Sequence, residues 1–532
     1  MSQSPFECLE FSNRYMMELP GDAIPDNFVR QVEGAAYSTV SPTPVRSPRL
    51  ISFIPEMVET LGLPPDAPDH PDFLRILSGN GSTEGMQPFA SNYGGHQFGY
   101  WAGQLGDGRA INLGEVKTAA HGFLTLQLKG AGRTPYSRSA DGRAVLRSSV
   151  REYVCSEALH HLGVPTTRSL SLVATGESIV RDMFYDGHPK REPGAIVCRV
   201  APSFTRFGHF ELPAARGDHD LLRQLTNFSL KHEFDGRYPS NPEGYAAWLA
   251  EVATRTAHLM VDWQRFGFVH GVMNTDNLSI LGLTIDYGPY GWLEGFDPRW
   301  TPNTTDAEGL RYAYGQQPGI ARWNLLRLAN AIYPLVGNAE PLEKAISLFD
   351  ETFDCGWRNA LSAKLGLVDN KAPSWPTFIA RLWHILSLRE TDFTLFFRGL
   401  SLWHPDSLDA QPWQIPAFIT KAWYDASPAS RHIEEEIRTW LEDYTQRLKQ
   451  TDIPTAARQQ QMCSANPKYV FRNYLAQEVI DDLETGNSLR LERLLETLRR
   501  PFDDQPENEV FAQKRPEWAR HRAGCSMLSC SS

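Results

Sequence analysis

The segment from His270 to Pro289 contains acid and amide side chains, which are the types that bind divalent metal ions in proteins. The stretch His270-Gly-Val-Met-Asn-Thr-Asp276-Asn277 leads through a short apolar run into Asp286-Tyr-Gly-Pro289. Carboxylate and amide oxygens are the ligands that Mg²⁺ accepts in proteins. Because Asn277 and Asp286 are close enough in the chain to join through one tight hairpin, we expect their oxygens to converge on one ion.

Protein kinases assemble their metal site from similar parts, a catalytic loop that ends in Asn and an Asp-Phe-Gly whose Asp binds Mg²⁺. A kinase places its catalytic Asp two residues after the His, and here that position is Val272. The acid lies instead at Asp276, which is our candidate for the proton acceptor; a third metal ligand or a loop cap is its alternative role. His270 is expected to be structural. The pattern indicates a kinase-like scaffold with altered chemistry.

Lys129 ends the predicted strand Leu-Gln-Leu-Lys, where a kinase places the lysine that contacts the α- and β-phosphates. Glu152, on the next predicted helix, is its expected ion-pair partner. Taken alone, a lysine at a strand end is more often a solvated edge residue. Its occurrence together with Asp286 favours a nucleotide site.

A glycine-rich turn precedes Lys129 and contains Gly106, Gly108 and Arg109. Glycines let backbone N–H groups approach phosphate closely. The turn is not a Walker A loop, and Asp-Gly turns are common in any β-region, so the motif is weak. Arg109 is either a phosphate ligand or an exposed turn residue.

Two further positions have open interpretations. Asp141-Gly142 precedes a predicted helix, where an Asp is usually a cap. Arg199 and Arg206 flank a proline turn beside aromatic residues. Guanidinium groups bind two oxygens at once, so the pair forms either a phosphate clamp or a carboxylate tie between two lobes.

The elements that position these residues change in type along the chain. Gly-punctuated short strands are predicted from Phe89, with strands at 124–128, 169–181 and 194–200 and a helix over 143–161. Further helices are predicted near 55–61, at 245–266, 342–361, 378–388 and 433–448. A strand-rich part followed by a helix-rich part is the order of a two-lobed, protein-kinase-like α+β fold. The predicted divisions are an N-terminal extension wrapping the core (1–88), a β-rich N-lobe (89–200), a C-lobe with the metal site (201–330) and a helical C-terminal region (331–532).

Composition excludes several other classes. The chain has 532 residues, 41% hydrophobic content and a net charge of −11, so a general nucleic-acid binder is disfavoured. Its seven cysteines are an odd number, are widely spaced and include no CxxC pair, which argues against a disulfide framework and a structural zinc site. No apolar run is long enough for a transmembrane helix, and the N-terminus has no features of a signal or transit peptide.

The chain resembles the selenoprotein O (SelO) family, called YdiU in bacteria, whose members are protein adenylyltransferases on a kinase-like fold. The resemblance runs through almost the whole chain. It is carried by Phe89–Gly99, Gln127–Arg138, Arg199–Pro202, Arg206–Phe210, His270–Asn277, Asp286–Pro289, Asn466–Val470 and the terminal Cys530-Ser-Ser.

The resemblance implies a role for each matching residue. Asp276 would be the proton acceptor, and Asn277 and Asp286 would bind Mg²⁺ or Mn²⁺. ATP would be bound in an orientation reversed relative to ordinary kinases, so that AMP is transferred to Ser, Thr or Tyr hydroxyls of proteins and pyrophosphate leaves. The implied ATP-binding residues are Gly106, Gly108, Arg109, Lys129, Asp141, Gly142, Arg199, Arg206 and Asp286. The alternatives are UMP transfer from UTP with Mn²⁺, a conventional kinase, or a nucleotide-binding pseudokinase scaffold.

One departure concerns the C-terminus. Cys530 stands where animal relatives have selenocysteine, and the segment 300–304 lacks the Cys that some relatives have there, so Cys530 is a possible redox residue but a disulfide lock is not predicted. The expected partners are ATP and protein substrates, with no nucleic acid and no membrane. We expect a monomer in the bacterial cytoplasm, or in mitochondria if the protein is eukaryotic.

Overall fold

A nine-stranded antiparallel sheet organises the part of the chain that precedes the candidate metal site. The computed structural model describes residues 3–368, 371–409, 411–451, 453–525 and 527–529. The sheet order is β2-β4-β7-β8-β11-β10-β3, with β1 paired to β7 and β9 paired to β11; β5 pairs with β6 and β12 with β13. The strands are β1 (Glu10–Phe11), β2 (Tyr37–Thr39), β3 (Arg49–Phe53), β4 (Phe89–Ser91), β5 (Gly94–Gln97), β6 (Tyr100–Gln104), β7 (Ala110–Thr118), β8 (Gly122–Lys129), β9 (Ala144–Val145), β10 (Arg168–Arg181), β11 (Lys190–Ala201), β12 (Phe268–Val269) and β13 (Gly291–Trp292).

Helices dominate the rest of the described chain. The long helix Pro242–Phe266 illustrates why: the Asn241 side chain accepts from Gly244 N, proline occupies the first turn, and Gly267 ends the helix in the left-handed region with φ 69°. The helices are α1 (Arg14–Glu18), α2 (Pro55–Thr60), α3 (Pro71–Leu77), α4 (Leu146–His161), α5 (Gly208–Arg216), α6 (His219–Phe228), α7 (Pro242–Phe266), α8 (Gln317–Val336), α9 (Glu340–Leu365), α10 (Trp375–Ser387), α11 (Phe393–Leu402), α12 (Ala417–Ala422), α13 (Arg431–Lys449), α14 (Thr455–Ala465), α15 (Asn473–Glu484) and α16 (Leu489–Leu498).

The α+β class and the helical C-terminal region are confirmed, and most predicted elements lie within a few residues of their observed positions. The helix predicted from residue 143 begins at Leu146, because Ala144 and Val145 extend as β9 and pair with β11. The tight hairpin predicted between Asn277 and Asp286 is wrong. That segment pairs with other parts of the chain, through bridges from Arg206 to Ser279 and from Thr166 to Thr284.

The N-terminal residues are more closely integrated than an extension that only wraps a core. They supply β1, β2 and β3 to the main sheet, where β3 pairs with β10 at one edge. Buried side chains from this part, such as Phe6, Phe73 and Ile76, join the same hydrophobic cluster as the sheet and α4. The boundary at residue 88 stays a prediction.

Part of the helical C-terminal region packs in a second hydrophobic cluster, rich in aromatic rings such as Phe378, Trp440 and Tyr444, which also includes Val269 and Leu293. Among the described residues no helix has both the length and the apolar character needed to cross a membrane. The six cysteines in the described part of the chain are free thiols.

Candidate active site

A cavity of about 630 Å³ lies where the end of β8, the glycine-rich turn, the loop after β12 and the segment around Asp286 meet. Cavities of this size hold small-molecule ligands. Arg206 and Glu152 are fully buried and do not line the cavity. Ten residues singled out from the sequence do line it: Gly106, Gly108, Arg109, Lys129, Asp141, Gly142, Arg199, Asp276, Asn277 and Asp286.

Lys129 lies between two carboxylates. Its Nζ is 2.6 Å from Glu152 Oε2 and 3.3 Å from Asp286 Oδ1. The strand β8 ends at Lys129, and α4 packs across the sheet with Glu152 on its buried side. The lysine is therefore held in a buried position and is not the solvated edge residue of the alternative interpretation.

Both arginines that flank the proline turn bind the same carboxylates. Arg199 Nη1 lies 2.9 Å from Glu152 Oε1 and 2.6 Å from Asp286 Oδ1. Arg206 Nη1 forms an ion pair with Asp286 Oδ2 and donates to the Asp276 carbonyl at 2.9 Å. Of the two interpretations left open by the sequence, these contacts are those of a carboxylate tie.

This cluster carries excess positive charge. Burial by itself would raise the pKa of the Asp286 carboxyl, but the charges of Arg206, Lys129 and Arg199 outweigh it and hold the pKa well below its usual value. Three cations face the two carboxylates of Glu152 and Asp286. An anionic ligand in the cavity would compensate the difference.

The backbone places Asp286 in an uncommon conformation, with φ 59°. Non-glycine residues in this region cluster at functional sites. His270 is buried beneath it, where Nε2 donates to the Ile285 carbonyl at 2.9 Å, so the histidine acts as a structural support. Thr166 and the Tyr287 hydroxyl form a hydrogen bond on the other side.

Asp276 and Asn277 occupy the 3₁₀ turn Thr275–Asn277. Asn277 Nδ2 donates to the Val272 carbonyl at 2.9 Å, which leaves its Oδ1 available for a ligand. Asp276 Oδ2 accepts from Gln97 Nε2 at 3.3 Å, while its Oδ1 is buried without a hydrogen-bond partner. Burial, reinforced by the negative charge of Asp286 and opposed by Arg206, raises the pKa of the Asp276 carboxyl to about 7.

The donor set fits a hard divalent cation. In the described residues no group of three His, Cys, Asp or Glu side chains has the arrangement of a metal site. Two carboxylates and one amide nevertheless line the cavity together, and the buried Oδ1 of Asp276 is unpartnered. Mg²⁺ is usually bound by one or two carboxylates with the remaining positions filled by water and phosphate oxygens, so these residues suit it.

The glycine-rich turn lies against the cavity, and Arg109 is part of the cavity wall. Gly106 has φ 68°, and a Cβ there would lie 2.4 Å from the Tyr136 ring. The buried Asp107 carboxylate accepts from Ser91 N at 3.0 Å and so anchors the turn from behind. Within the described part of the chain, Arg109 has neither an ion pair nor a side-chain hydrogen bond, and it lines the cavity.

Asp141 is not a cap of α4, whose N-cap residue is Val145. Its carboxylate accepts two hydrogen bonds from Arg181, at 2.6 and 2.9 Å, and one from Arg143 N at 2.9 Å. Gly142 follows in the left-handed region with φ 71°, and a Cβ on it would lie 2.1 Å from the Gly132 carbonyl. Only glycine fits this close approach.

Sequence reasoning missed several supporting residues. Gln97 contacts Asp276, and Glu211 accepts from both Thr275 Oγ1 (2.5 Å) and His96 Nδ1 (3.0 Å). Glu233 is partly buried at the end of the π-helical turn Ser229–Glu233 and accepts from Ser203 and Thr205, which braces the segment before Arg206. The Gly-Gly-His-Gln run was the available signal, but its spacing alone indicates no chemistry.

Cys530 lies outside the described residues, so the possible redox role assigned to it stays a prediction.

The sequence matches known proteins over nearly its full length. The family model described as "Protein adenylyltransferase SelO" matches residues 27–499. A relative from Aromatoleum aromaticum is 54% identical over 98% of this chain and 99% of its own length, and one from Nitrosospira multiformis is 53% identical over 98% and 96%. A relative from Xanthomonas campestris is 54% identical over 98% and 99%. Each of the three is named "Protein nucleotidyltransferase YdiU".

Proposed function

The chain belongs to the SelO family of protein nucleotidyltransferases, and from this premise we propose that it transfers AMP from ATP to Ser, Thr or Tyr hydroxyls of proteins. The observation that carries the proposal is the buried Asp276 carboxylate, whose Oδ1 lacks a hydrogen-bond partner, on the wall of a cavity with surplus positive charge. A proton acceptor beside an anion-binding cavity is what nucleotidyl transfer to a hydroxyl needs.

In the proposed reaction the acceptor oxygen forms a bond to the α-phosphorus of ATP, and the bond from that phosphorus to the bridging oxygen breaks. Pyrophosphate leaves, and Asp276 takes the hydroxyl proton. Lys129, Arg199 and Arg109 neutralise phosphate charge, which is the main electrostatic contribution in phosphoryl transfers. A divalent cation, when bound by Asn277 and Asp286, would supply further charge neutralisation.

The proposed orientation of ATP is reversed relative to ordinary kinases. It is supported by the number of cations in and behind the cavity. A triphosphate that leaves the usual glycine-loop position needs cations around its β- and γ-phosphates, and Arg109 has no competing protein partner within the described chain. Gly106, Gly108, Asp141, Gly142 and Arg206 complete the proposed ATP site, with Arg206 acting through Asp286.

Incubation with ATP labelled at either the α- or the γ-phosphate tests the proposal directly. We expect protein-bound label from α-labelled ATP and none from γ-labelled ATP. The Asp286→Ala variant is the negative control. Label retained only from the γ-position would mean a conventional kinase, and metal-dependent nucleotide binding without any product would mean a scaffold.

The choice of nucleotide and metal needs a second comparison. UMP transfer from UTP with Mn²⁺ is the closest alternative, and competition between ATP and UTP in the presence of Mg²⁺ or Mn²⁺ distinguishes it. We propose ATP, and we propose that the protein acts as a monomer. The bacterial origin of the relatives supports the bacterial cytoplasm over mitochondria as its location.

A further inference from the structure

A partly exposed group of aromatic and arginine side chains lies beside Asp276 but outside the cavity. We call it the aromatic–arginine patch; it comprises His96, Tyr100, Trp101, Arg311, Trp323 and Arg327. Tyr100 and Trp101 lie on β6 with 80% and 40% of their surface exposed. We propose that this patch binds the acidic segment of the protein substrate that carries the acceptor hydroxyl, an inference that rests on the proposed function.

The patch is continuous with the candidate base. The turn of the β5–β6 hairpin follows Gln97, whose Nε2 donates to Asp276 Oδ2 at 3.3 Å. His96 N donates to Thr275 Oγ1 at 2.7 Å, and a Cβ at Gly95 would lie 2.8 Å from Asp276 Oδ1. A chain segment bound on the patch therefore lies within a few residues of Asp276.

The rings form an unbroken series along the surface. The His96 ring lies 5.2 Å from Trp101 and 5.5 Å from Trp323, centroid to centroid. Exposed Trp and Tyr with adjacent Arg are the side chains enriched at the energetic centres of protein interfaces. The composition of the patch thus favours a polypeptide ligand.

Two arginines give the patch its charge. The guanidinium carbons of Arg311 and Arg327 lie 4.6 and 4.8 Å from the Trp323 ring centroid. Among the described residues neither has a carboxylate within ion-pair distance, and the Nε atom of each is buried without a hydrogen-bond partner. Burial raises the pKa of the nearby Asp306 carboxyl, and the charge of Arg311 acts on that carboxyl with a smaller, lowering effect. The hydrogen bonds of that carboxylate come from the backbone N–H groups of Arg311 (3.0 Å) and Tyr312 (2.7 Å).

The nucleotide itself is a poor explanation for these cations. Gln97 and Phe98 line the cavity, whereas Arg311, Trp323 and Arg327 do not. Among the described residues, Arg311 and Arg327 are thus two cations outside the cavity that have no carboxylate within ion-pair distance. Carboxylates of a protein substrate match them in charge and in the two-oxygen geometry that guanidinium binds.

The test uses fluorescence anisotropy with the full-length protein and three synthetic peptides. Each peptide contains one Ser, one Thr and one Tyr, flanked by Glu, Gln or Lys. We expect the Glu peptide to bind most tightly. We expect Arg311→Gln and Arg327→Gln each to weaken its binding about fivefold, the effect of losing one exposed ion pair. Arg327→Glu should reverse the preference towards the Lys peptide.

Arg322→Gln is the matched control, because Arg322 lies on α8 with Arg327 but forms an ion pair with Asp350 at 2.8 Å. Its peptide binding should equal that of the original protein, and metal-dependent ATP binding should be unchanged in all four variants. Equal binding of the three peptides, no binding at all, or a Glu preference that survives both arginine changes would overturn the inference. So would concentration-dependent self-association of the protein that these changes abolish, since the occupant would then be a second copy.

The peptide measurement does not depend on transfer. If α-label never reaches any peptide or protein, the proposed function fails whatever the binding result. If α-label is transferred without a charge preference among the peptides, the proposed function stands and only the assignment of the patch fails.

Discussion

Asp286→Asn is the most informative single change at the site, because it removes one charge and almost no volume. In the structure Asp286 Oδ1 lies 3.3 Å from Lys129 Nζ and 2.6 Å from Arg199 Nη1, and its Oδ2 forms an ion pair with Arg206. The variant leaves Lys129 and Arg199 with Glu152 as their remaining carboxylate partner. Among the described residues it leaves Arg206 without a carboxylate in ion-pair distance.

We expect this change to lower the stability of the protein by about 3 kcal/mol. Removing one partner of a buried ion pair costs on the order of 3–5 kcal/mol, because the opposite charge stays buried and unpaired. The lower end applies here, since the Asp286 side chain is 20% exposed and water in the cavity can solvate Lys129 in part.

The urea midpoint of the original protein and of the variant measures the loss. Asp350→Asn is the control: it also removes an aspartate charge paired with an arginine, but its side chain is 45% exposed, so less than about 1 kcal/mol is expected. Equal midpoints for the Asp286 variant and the original protein would contradict the charge argument.

Nucleotide should reverse the effect in a way that metal does not. With EDTA present, ATP brings negative charge to three under-neutralised cations, so we expect it to raise the midpoint of Asp286→Asn more than that of the original protein. Transfer activity should nevertheless be abolished, because a metal ligand is missing. If ATP with EDTA stabilises the variant no better than the original protein, the cation cluster does not face the phosphates.

Three further changes test other parts of the site. Asp276→Ala should lower turnover by about 10²–10⁴, the range for loss of a general base, while ATP affinity in a binding titration changes little. Gly142→Ala should cost more than about 2 kcal/mol by urea midpoint, because its Cβ would lie 2.1 Å from the Gly132 carbonyl in a left-handed backbone conformation. His209→Gln should make the loss of stability on acidification smaller. Burial, and secondarily the charge of Arg206, lowers the pKa of His209 to about 3. As pH falls below about 6.5, the histidine therefore binds a proton in the unfolded chain but not in the folded one.

The His209 effect has a defined sign and size. Stability from the neutral histidine is present above pH 6.5 and is lost as pH falls towards the folded pKa, reaching about 2 kcal/mol at pH 5. In the structure His209 Nδ1 accepts a hydrogen bond from Arg206 N at 3.1 Å, and the side-chain oxygen of glutamine supplies an acceptor for the same N–H group. Identical pH dependence in the two proteins would assign the acid sensitivity to other groups.

Each of the other two changes has its own check. Gly163→Ala places a residue at φ 79° with no atom within 4 Å of its Cβ, so it should cost only about 1 kcal/mol and isolates the steric part of the Gly142 effect. For Asp276→Ala, an equal loss of ATP binding and turnover would mean that Asp276 is mainly a ligand.

Local patterns predicted the secondary structure well because they depend on neighbouring residues. The alternation Leu124-Thr-Leu-Gln-Leu128 lies in β8, and the apolar periodicity before Gly267 lies in α7. The start of α4 was missed, since pairing of Ala144 and Val145 with the distant β11 overrides the local helical pattern.

In the site, too, some features could be predicted from local sequence and others depend on the tertiary structure. Residue types alone predicted Lys129, Glu152, Asn277 and Asp286 as parts of a phosphate and metal site, because the chemistry of carboxylate, amide and ammonium groups is local. Only the tertiary structure decided that Arg199 and Arg206 bind the Asp286 carboxylate, and that Asp276 is buried with one oxygen unpartnered. Burial and charge pairing are sums over residues far apart in the chain, and it is these sums that determine which carboxylate stays ionised and which is able to accept a proton.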